Sequence, residues 1–279
     1  ALETSMLERL YRTPHLLPAS TMLDRQYRMH GSIRSFPSKQ FYGSKLEDDG
    51  SIGSRSLHPS VFPESSEHAV FVDCRHPHSM GLVIDVGRGR SRSATLVENN
   101  TSLRNSGEAR LVAIACKRLL RKGVCRAVDL AVITPYRAQK DEIVEQLAAI
   151  CGEDAASIAV GTVYALQGSE RECIVISFVR SVAEGTVLCQ NLHSTKSTDV
   201  VVGPDKKDEA LQQICESHLG IVSNSKLLNV SLTRAKQGLV IVGNAAILSE
   251  GSQDFLDLTE HMRKRRCLMA EEDFLHLER

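Results

Sequence analysis

Four short, unbroken apolar runs do most to limit what this 279-residue chain can fold into. They are Ala69-Val70-Phe71-Val72, Leu130-Ala131-Val132-Ile133, residues 174–179 and Leu239-Val240-Ile241-Val242. Runs that are apolar at every position, rather than at alternate ones, predict strands covered on both faces. Weaker strand signals lie over residues 157–160 and 20–23. Helical patterns separate the runs. After Asn105-Ser106-Gly107-Glu108, the residues Leu111, Val112, Ala115, Cys116, Leu119 and Leu120 form one apolar stripe of helical period, and Gly123 is a stop signal. Ile143, Val144, Leu147 and Ala148 mark a second helix, and residues 254–266 a third. This alternation predicts an α/β fold, a parallel sheet with helices on both faces. Ligands of such sheets bind beyond the carboxyl ends of the strands, so the crevice is expected there.

Composition narrows the function classes. Lys plus Arg total 34 and Asp plus Glu total 34. Zero net charge excludes a uniformly basic coat, though not a local basic groove. With 4% aromatic residues and no Trp, a surface built mainly on base stacking is disfavoured. No apolar run approaches the ~18 residues of a membrane span, so no membrane partner is expected. The eight Cys include no C-x-x-C pair and mostly sit in apolar runs, which suits a reducing compartment, cytoplasmic or nuclear. The chain starts on Ala1, which suggests a fragment. It reads as a single domain over 1–279 with polar insertions at about 50–67, 85–104 and 183–219, the last holding a short helix near 208–216. A connection as long as 183–219 is expected to be either functional or partly disordered.

Four polar segments border the predicted elements. They are Gln26-Tyr27-Arg28-Met29-His30, the stretch from Thr134-Pro135-Tyr136 through Gln139, residues 161–170, and Asn229 through Lys236. Singly they are weak. An Arg such as Arg28 or Arg234 is most often a solvated charge, Thr134-Pro135 a strand exit, and Gln167-Gly168 a turn. In this order they resemble the later motifs of superfamily 1 helicases, in the branch of the nonsense-mediated-decay (up-frameshift) RNA helicase. Gln26-Tyr27-Arg28-Met29-His30, Gln167-Gly168-Ser169-Glu170 and Leu232-Thr233-Arg234-Ala235 carry most of that resemblance, with support from Ser35-Phe36-Pro37-Ser38, Phe41-Tyr42 and Val242-Gly243-Asn244.

The resemblance implies a RecA-like domain, of the P-loop NTPase type. Such helicases pair two of these domains around ATP and run a nucleic acid strand across both. The chain has no G-x-x-x-x-G-K-S/T phosphate loop. It therefore resembles the second, C-terminal domain, whose partner would be the N-terminal RecA-like domain of the same protein. Cofactors would be ATP and Mg2+, the ion held mainly by the absent first domain. By motif match, Arg28 and Arg234 would be the catalytic arginine fingers. An always-charged donor fork suits the charge that phosphoryl transfer spreads over the γ-phosphate. Tyr27 would stack on adenine, and Gln167, Gly168 and Glu170 would contact ribose and phosphates. Thr134, Pro135, Tyr136 and Thr162 would line a groove for single-stranded RNA or DNA, holding backbone without reading sequence. Ser169 and Lys236 depart from the family pattern, which more often has a basic residue and Arg.

Other features have plainer readings. Cys74, His76 and His78 alternate, but three ligands without a fourth leave no metal site expected. Arg263-Lys264-Arg265-Arg266 reads as a solvated helix end, and Arg88, Arg90 and Arg92 as a flexible loop. The competing function is a non-catalytic nucleic-acid or partner-binding module from a truncated or degenerate helicase. The retained Arg28 and Arg234 argue against degeneracy.

Overall fold

The computed structural model describes residues 6–11, 13, 21–52, 62–64, 66–82, 101–165, 168–182 and 219–277. In chain order these form α1 (Met6–Tyr11), β1 (Arg25–Gln26), α2 (Gly31–Phe41), β2 (Glu47–Asp48), β3 (Ala69–Asp73), β4 (Ser79–Leu82) and β5 (Thr101–Arg104). Then come α3 (Ser106–Arg121), β6 (Leu130–Ile133), α4 (Arg137–Cys151), β7 (Ala159–Gly161) and β8 (Arg171–Ser177). The chain finishes with α5 (Ser225–Leu232), β9 (Ala235–Gly243), α6 (Ala245–Gly251), α7 (Gln253–Lys264), β10 (Leu268–Ala270) and α8 (Glu271–His276).

Six strands build one parallel sheet in the order β10-β3-β9-β8-β6-β7. All four strong apolar runs are in it. Their continuity is explained by two cores. Phe71, Ile133, Ile176 and Ile241 face a cluster with α2, α5, α6 and α7, while Val70, Val72, Val132, Val175, Val240 and Val242 face α3, α4 and α8. Successive residues of a strand point to opposite faces, so a sheet buried on both sides has no polar phase. The stripes at Leu111–Leu120 and Ile143–Ala148 lie in the helices found over 106–121 and 137–151, and the third helix, expected over 254–266, runs over Gln253–Lys264.

The differences are local. Residues 21–24 form no strand, and the adjacent Arg25–Gln26 pairs with Glu47–Asp48 instead. Thr101–Arg104, inside the polar 85–104 stretch, is a strand paired antiparallel with Ser79–Leu82. Part of the 50–67 stretch is packed, with Ile52 and Phe62 buried and Glu67 hydrogen-bonded to Arg265 at 3.0 Å. The expected helix at 208–216 and the Arg88, Arg90, Arg92 triplet lie outside the described residues. Among those residues no helix is long and apolar enough to cross a membrane.

The run at 174–179 leaves the sheet early, because Val179 takes φ 71°. A β-branched residue there is strained. A buried polar network holds it: Glu108 Oε1 accepts from Val179 N (2.9 Å) and Ser177 Oγ (2.8 Å). Gln139 donates to Ser177 Oγ (3.0 Å) and braces Asn105 through its backbone N–H (2.7 Å). Asn105 caps α3, its Oδ1 accepting from Glu108 N at 3.0 Å. Burial pushes the Glu108 carboxyl up to about 7, against the hydrogen bonds from Val179 and Ser177. Because this pKa is raised on folding, the folded state holds its proton where the unfolded chain has lost it. Stability is thus expected to fall as pH rises from about 4.5 to 7 and to level off above, by roughly 3 kcal/mol at most. Urea midpoints of Glu108→Gln across that window should lack this slope; an unchanged slope would assign it to another group.

Candidate functional site

The pairing of β8 with β9 puts Arg171 opposite Ala235, so the residues before them, Glu170 and Arg234, emerge side by side at the amino ends of the two central strands. The backbone link continues outward, with Arg171 N donating to Arg234 O at 3.2 Å. α2 brings a third segment to the same edge. His30 N donates to Lys236 O (2.8 Å), and the His30 ring caps α2 and stacks on His68 at 3.4 Å between centroids.

The turn before α2 is locked by one side chain. Gln26 Oε1 accepts from Arg28 N (2.9 Å) and Met29 N (2.8 Å), while its Nε2 donates to Met29 O (2.7 Å). That clamp directs Arg28 across to the motif after β7. Arg28 Nε donates to Glu170 Oε2 at 2.6 Å, and its Nη1 to Thr233 O at 3.0 Å. Lys236 Nζ approaches the other carboxylate oxygen of Glu170 at 3.0 Å. Arg234 donates to Val230 O (3.2 Å) and to Ser169 O (3.3 Å). Lys236 and then Arg28 hold Glu170 below the usual carboxylate range. Burial, then the like charge of Arg28, lowers the Arg234 guanidinium. Three cations thus share two carboxylates, Glu170 and Glu172, the second of them 3.7 Å from Lys236 Nζ.

The remaining expectations for this edge fall as follows. Tyr27, next to Arg28 in the chain, is 61% exposed. Gly168 takes φ +83°, and that positive φ turns the chain toward Glu170. Gln167 lies outside the described residues. Glu170, expected to accept from a sugar hydroxyl, has its oxygens engaged by Arg28 and Lys236.

A second set of residues sits at the opposite edge. Thr134 follows β6, and Thr162 follows β7. Ile133 is level with both Gly161 and Ile176, so Thr134 stands about seven residues along β8 from Glu170, roughly 23 Å at the rise of a parallel strand. The crevice expected at the carboxyl ends therefore holds only these residues; Arg28, Glu170 and Arg234 gather at the amino ends. Thr134 is buried, with its N donating to Gly161 O (3.1 Å) and its Oγ1 accepting a long 3.5 Å bond from Tyr136 N. It braces the turn that presents Pro135 and Tyr136, which are half-buried, as is Thr162. Thr162 Oγ1 accepts from Ala165 N at 3.4 Å. Sequence reasoning missed Arg180, whose Nε donates to Tyr136 Oη at 2.7 Å and whose guanidinium lies 5.5 Å from that ring's centroid. The strained Val179 sets its direction. No motif-free signal marks it, since the turn appears only as the tail of an apolar run.

A family model described as an AAA domain matches residues 2–246. The chain belongs to this family, that of the up-frameshift superfamily 1 helicases. Similar proteins include the 3'-5' exoribonuclease HELZ2 of Homo sapiens, 30% identical over 88% of this chain and 7% of that protein. The regulator of nonsense transcripts 1 homolog of Neurospora crassa is 28% identical over 96% of this chain and 20% of its own length. The ATP-dependent helicase NAM7 of Saccharomyces cerevisiae is 28% identical over 96% and 23%. The chain thus spans well under two thirds of these helicase relatives.

The Gln26 clamp and the Glu170 ion pairs should separate in stability measurements. Arg28 and Glu170 are 35% and 40% exposed, where an ion pair contributes about 0–1 kcal/mol. Gln26→Ala removes hydrogen bonds from a part-buried turn and is expected to cost roughly 1–3 kcal/mol. Urea unfolding of Gln26→Ala and Glu170→Ala should rank them in that order; the reverse order would make Glu170 the structural element.

Proposed function

We propose that this chain is the C-terminal motor domain of an ATP-dependent RNA or DNA helicase, completing an ATP site whose other half lies on an N-terminal RecA-like domain. The observation that carries the proposal is the gathering of Arg28 and Arg234, more than 200 residues apart in sequence, on either side of Glu170 at one sheet edge. The descent of the chain from a helicase family supports it.

In this reading ATP binds between the two domains. Tyr27 offers its exposed ring to the adenine. The segment through Gln167, Gly168 and Glu170 faces the ribose and phosphates. Arg28 and Arg234 approach the γ-phosphate from across the cleft, where fixed guanidinium forks stabilise charge as it spreads over the departing phosphoryl oxygens. Mg2+ neutralises phosphate charge when bound; the cations of this edge suit phosphate oxygens and not a metal, so the ion's ligands fall to the first domain. With ATP in place, the arginines and the phosphate loop of the first domain draw the cleft shut, and hydrolysis releases that bridge.

Pro135, Tyr136 and Thr162 form part of the single-strand groove on the opposite edge, with Thr134 supporting the turn beneath. An open–close cycle at one edge then alters the hold on a strand at the other, roughly 23 Å away. That distance is short enough for strands β6 and β8 to carry the motion as rigid bodies. The 183–219 segment enters the domain just before α5 and Arg234, which suits a docking or gating role for a protein partner.

With the upstream domain present, Arg28→Ala and Arg234→Ala are each expected to reduce nucleic-acid-stimulated ATP turnover by about 10³–10⁵-fold, while thermal midpoints stay near wild type. Unchanged turnover in either variant removes that arginine from the site. The 279-residue chain by itself is expected to hydrolyse ATP negligibly. Turnover at helicase-like rates would overturn the two-domain assignment.

A further inference from the structure

At the carboxyl edge, but beyond β8 and β9 from Thr134 and Thr162, three potential ligands of different chemistry meet beside β3. Cys74 follows β3, His76 lies two residues on, and Glu271 opens α8 after β10. One ligand atom from each, the Cys74 sulfur, a His76 ring nitrogen and a Glu271 carboxylate oxygen, all lie within 4.8 Å of one another. His76 Nε2 is 3.1 Å from Glu271 Oε1. We propose that Cys74, His76 and Glu271 bind one divalent transition-metal ion of the zinc class, with its fourth position open to solvent.

The three side chains are placed by separate parts of the fold. The Cys74 backbone N–H donates to Gly243 O at 3.0 Å, tying it to β9, and the residue is fully buried. The backbone of His76 is held by Asn105 Nδ2, which donates to His76 O at 2.8 Å. Its ring lies against Gly107, where an added Cβ would come within 2.2 Å of ring carbon. Only a glycine at the start of α3 leaves room for that ring. Glu271 is set by the parallel pairing of β10 with β3 and by Phe274, buried one turn further along α8 under the Arg118 guanidinium at 4.1 Å.

Thiolate, imidazole and carboxylate are the zinc donor set, and three protein ligands with an open fourth position are the pattern of a water-accessible site. In a tetrahedral site these donor atoms stand about 3.3–3.7 Å apart. The observed spread closes by rotation of His76 and Glu271, whose side chains are 48% and 24% exposed. As the sulfur–metal bond forms, the Cys74 S–H bond breaks and its proton leaves to solvent. Without a cation, burial and the nearby Glu108, Glu271 and Asp73 carboxylates keep this thiol protonated. A dication reverses that balance. His78, the third member of the alternating triplet, is turned away: its Nδ1 accepts from Ser181 N at 3.2 Å. The sequence sets His78 beside Cys74 and His76, whereas in the structure Glu271 is the third group there. This proposal stands apart from the helicase assignment, because it uses neither arginine nor the Thr134 and Thr162 loops.

The test uses the full chain stripped of metal by chelation and titrated first with Co2+, then with Zn2+. A thiolate-to-cobalt charge-transfer band should grow to saturation at one equivalent and vanish as zinc displaces cobalt. Cys74→Ser should lose the band. His76→Ala and Glu271→Gln should each weaken zinc binding by more than the about 10–100-fold that follows loss of an outer hydrogen-bond partner of a ligand. His78→Ala should bind as wild type. A missing band in wild type, or one that survives Cys74→Ser, overturns the site, as does undiminished zinc affinity in both His76→Ala and Glu271→Gln. These last two substitutions sit at the surface, so they decide the matter even if Cys74→Ser does not fold.

Discussion

The register of β8 against β9 is the constraint on which the candidate site rests. Because Arg171 faces Ala235, two motifs that are far apart in the chain finish at the same height on adjacent strands. Their last residues before the sheet, Glu170 and Arg234, then have no freedom to separate. A slip of this pairing would break the alternation that feeds two buried cores, with Val175 and Val240 on one face and Ile176 and Ile241 on the other. Burial on both faces fixes the body of the two strands, and a register shift between Arg171 and Cys173 then sets the pairing at the rim. The site is aligned by the hydrophobic core beneath it and not by its own salt bridges, which are half-exposed and individually weak.

The opposite rim is built differently. There, polar groups inside the protein do the positioning. Glu108, Ser177, Gln139 and Asn105 form a closed set of hydrogen bonds at the ends of β8 and α3. Their product is Val179 in a conformation that Val does not adopt unaided, and through it Arg180 is brought against Tyr136. Asn105 also donates to Val179 O at 3.4 Å and to His76 O, so the same buried residue touches the backbone of both the Val179–Arg180 turn and the Cys74–His76 loop. One rim is positioned by apolar register and the other by buried hydrogen bonding, although they share the same strands.

How far each feature was legible in the sequence follows from this. The central strands were legible because unbroken apolar runs leave few alternatives. β10 and β5 were not: Leu268-Met269-Ala270 is short and only partly buried, and Thr101–Arg104 has Leu103 as its one large apolar residue. Phe178 and Val179 look like strand continuation, and nothing local in the sequence reveals the distant Glu108 that ends it. The arginines were legible as a motif, but their location at the amino ends was not, since motif order carries no information on which end of a strand a loop occupies. Gln26 was legible only as part of a motif string, without its clamping role. Glu271 was invisible as a neighbour of His76, because only the pairing of β10 with β3 brings it there.

A neutral chain can still present a locally cationic edge, with Glu170 set among Arg28, Arg234 and Lys236. Burial first, and then the like charge of Arg28, lowers the proton affinity of Arg234. Glu170 holds Arg28 and Lys236 through contacts that water already reaches. A pair of that kind is exchangeable: a ligand carrying more negative charge than one carboxylate gains more from the same guanidiniums than Glu170 loses. Deeply buried, the same pair would be a fixed strut, too costly to open. Partial exposure is what keeps this ion pair exchangeable rather than fixed.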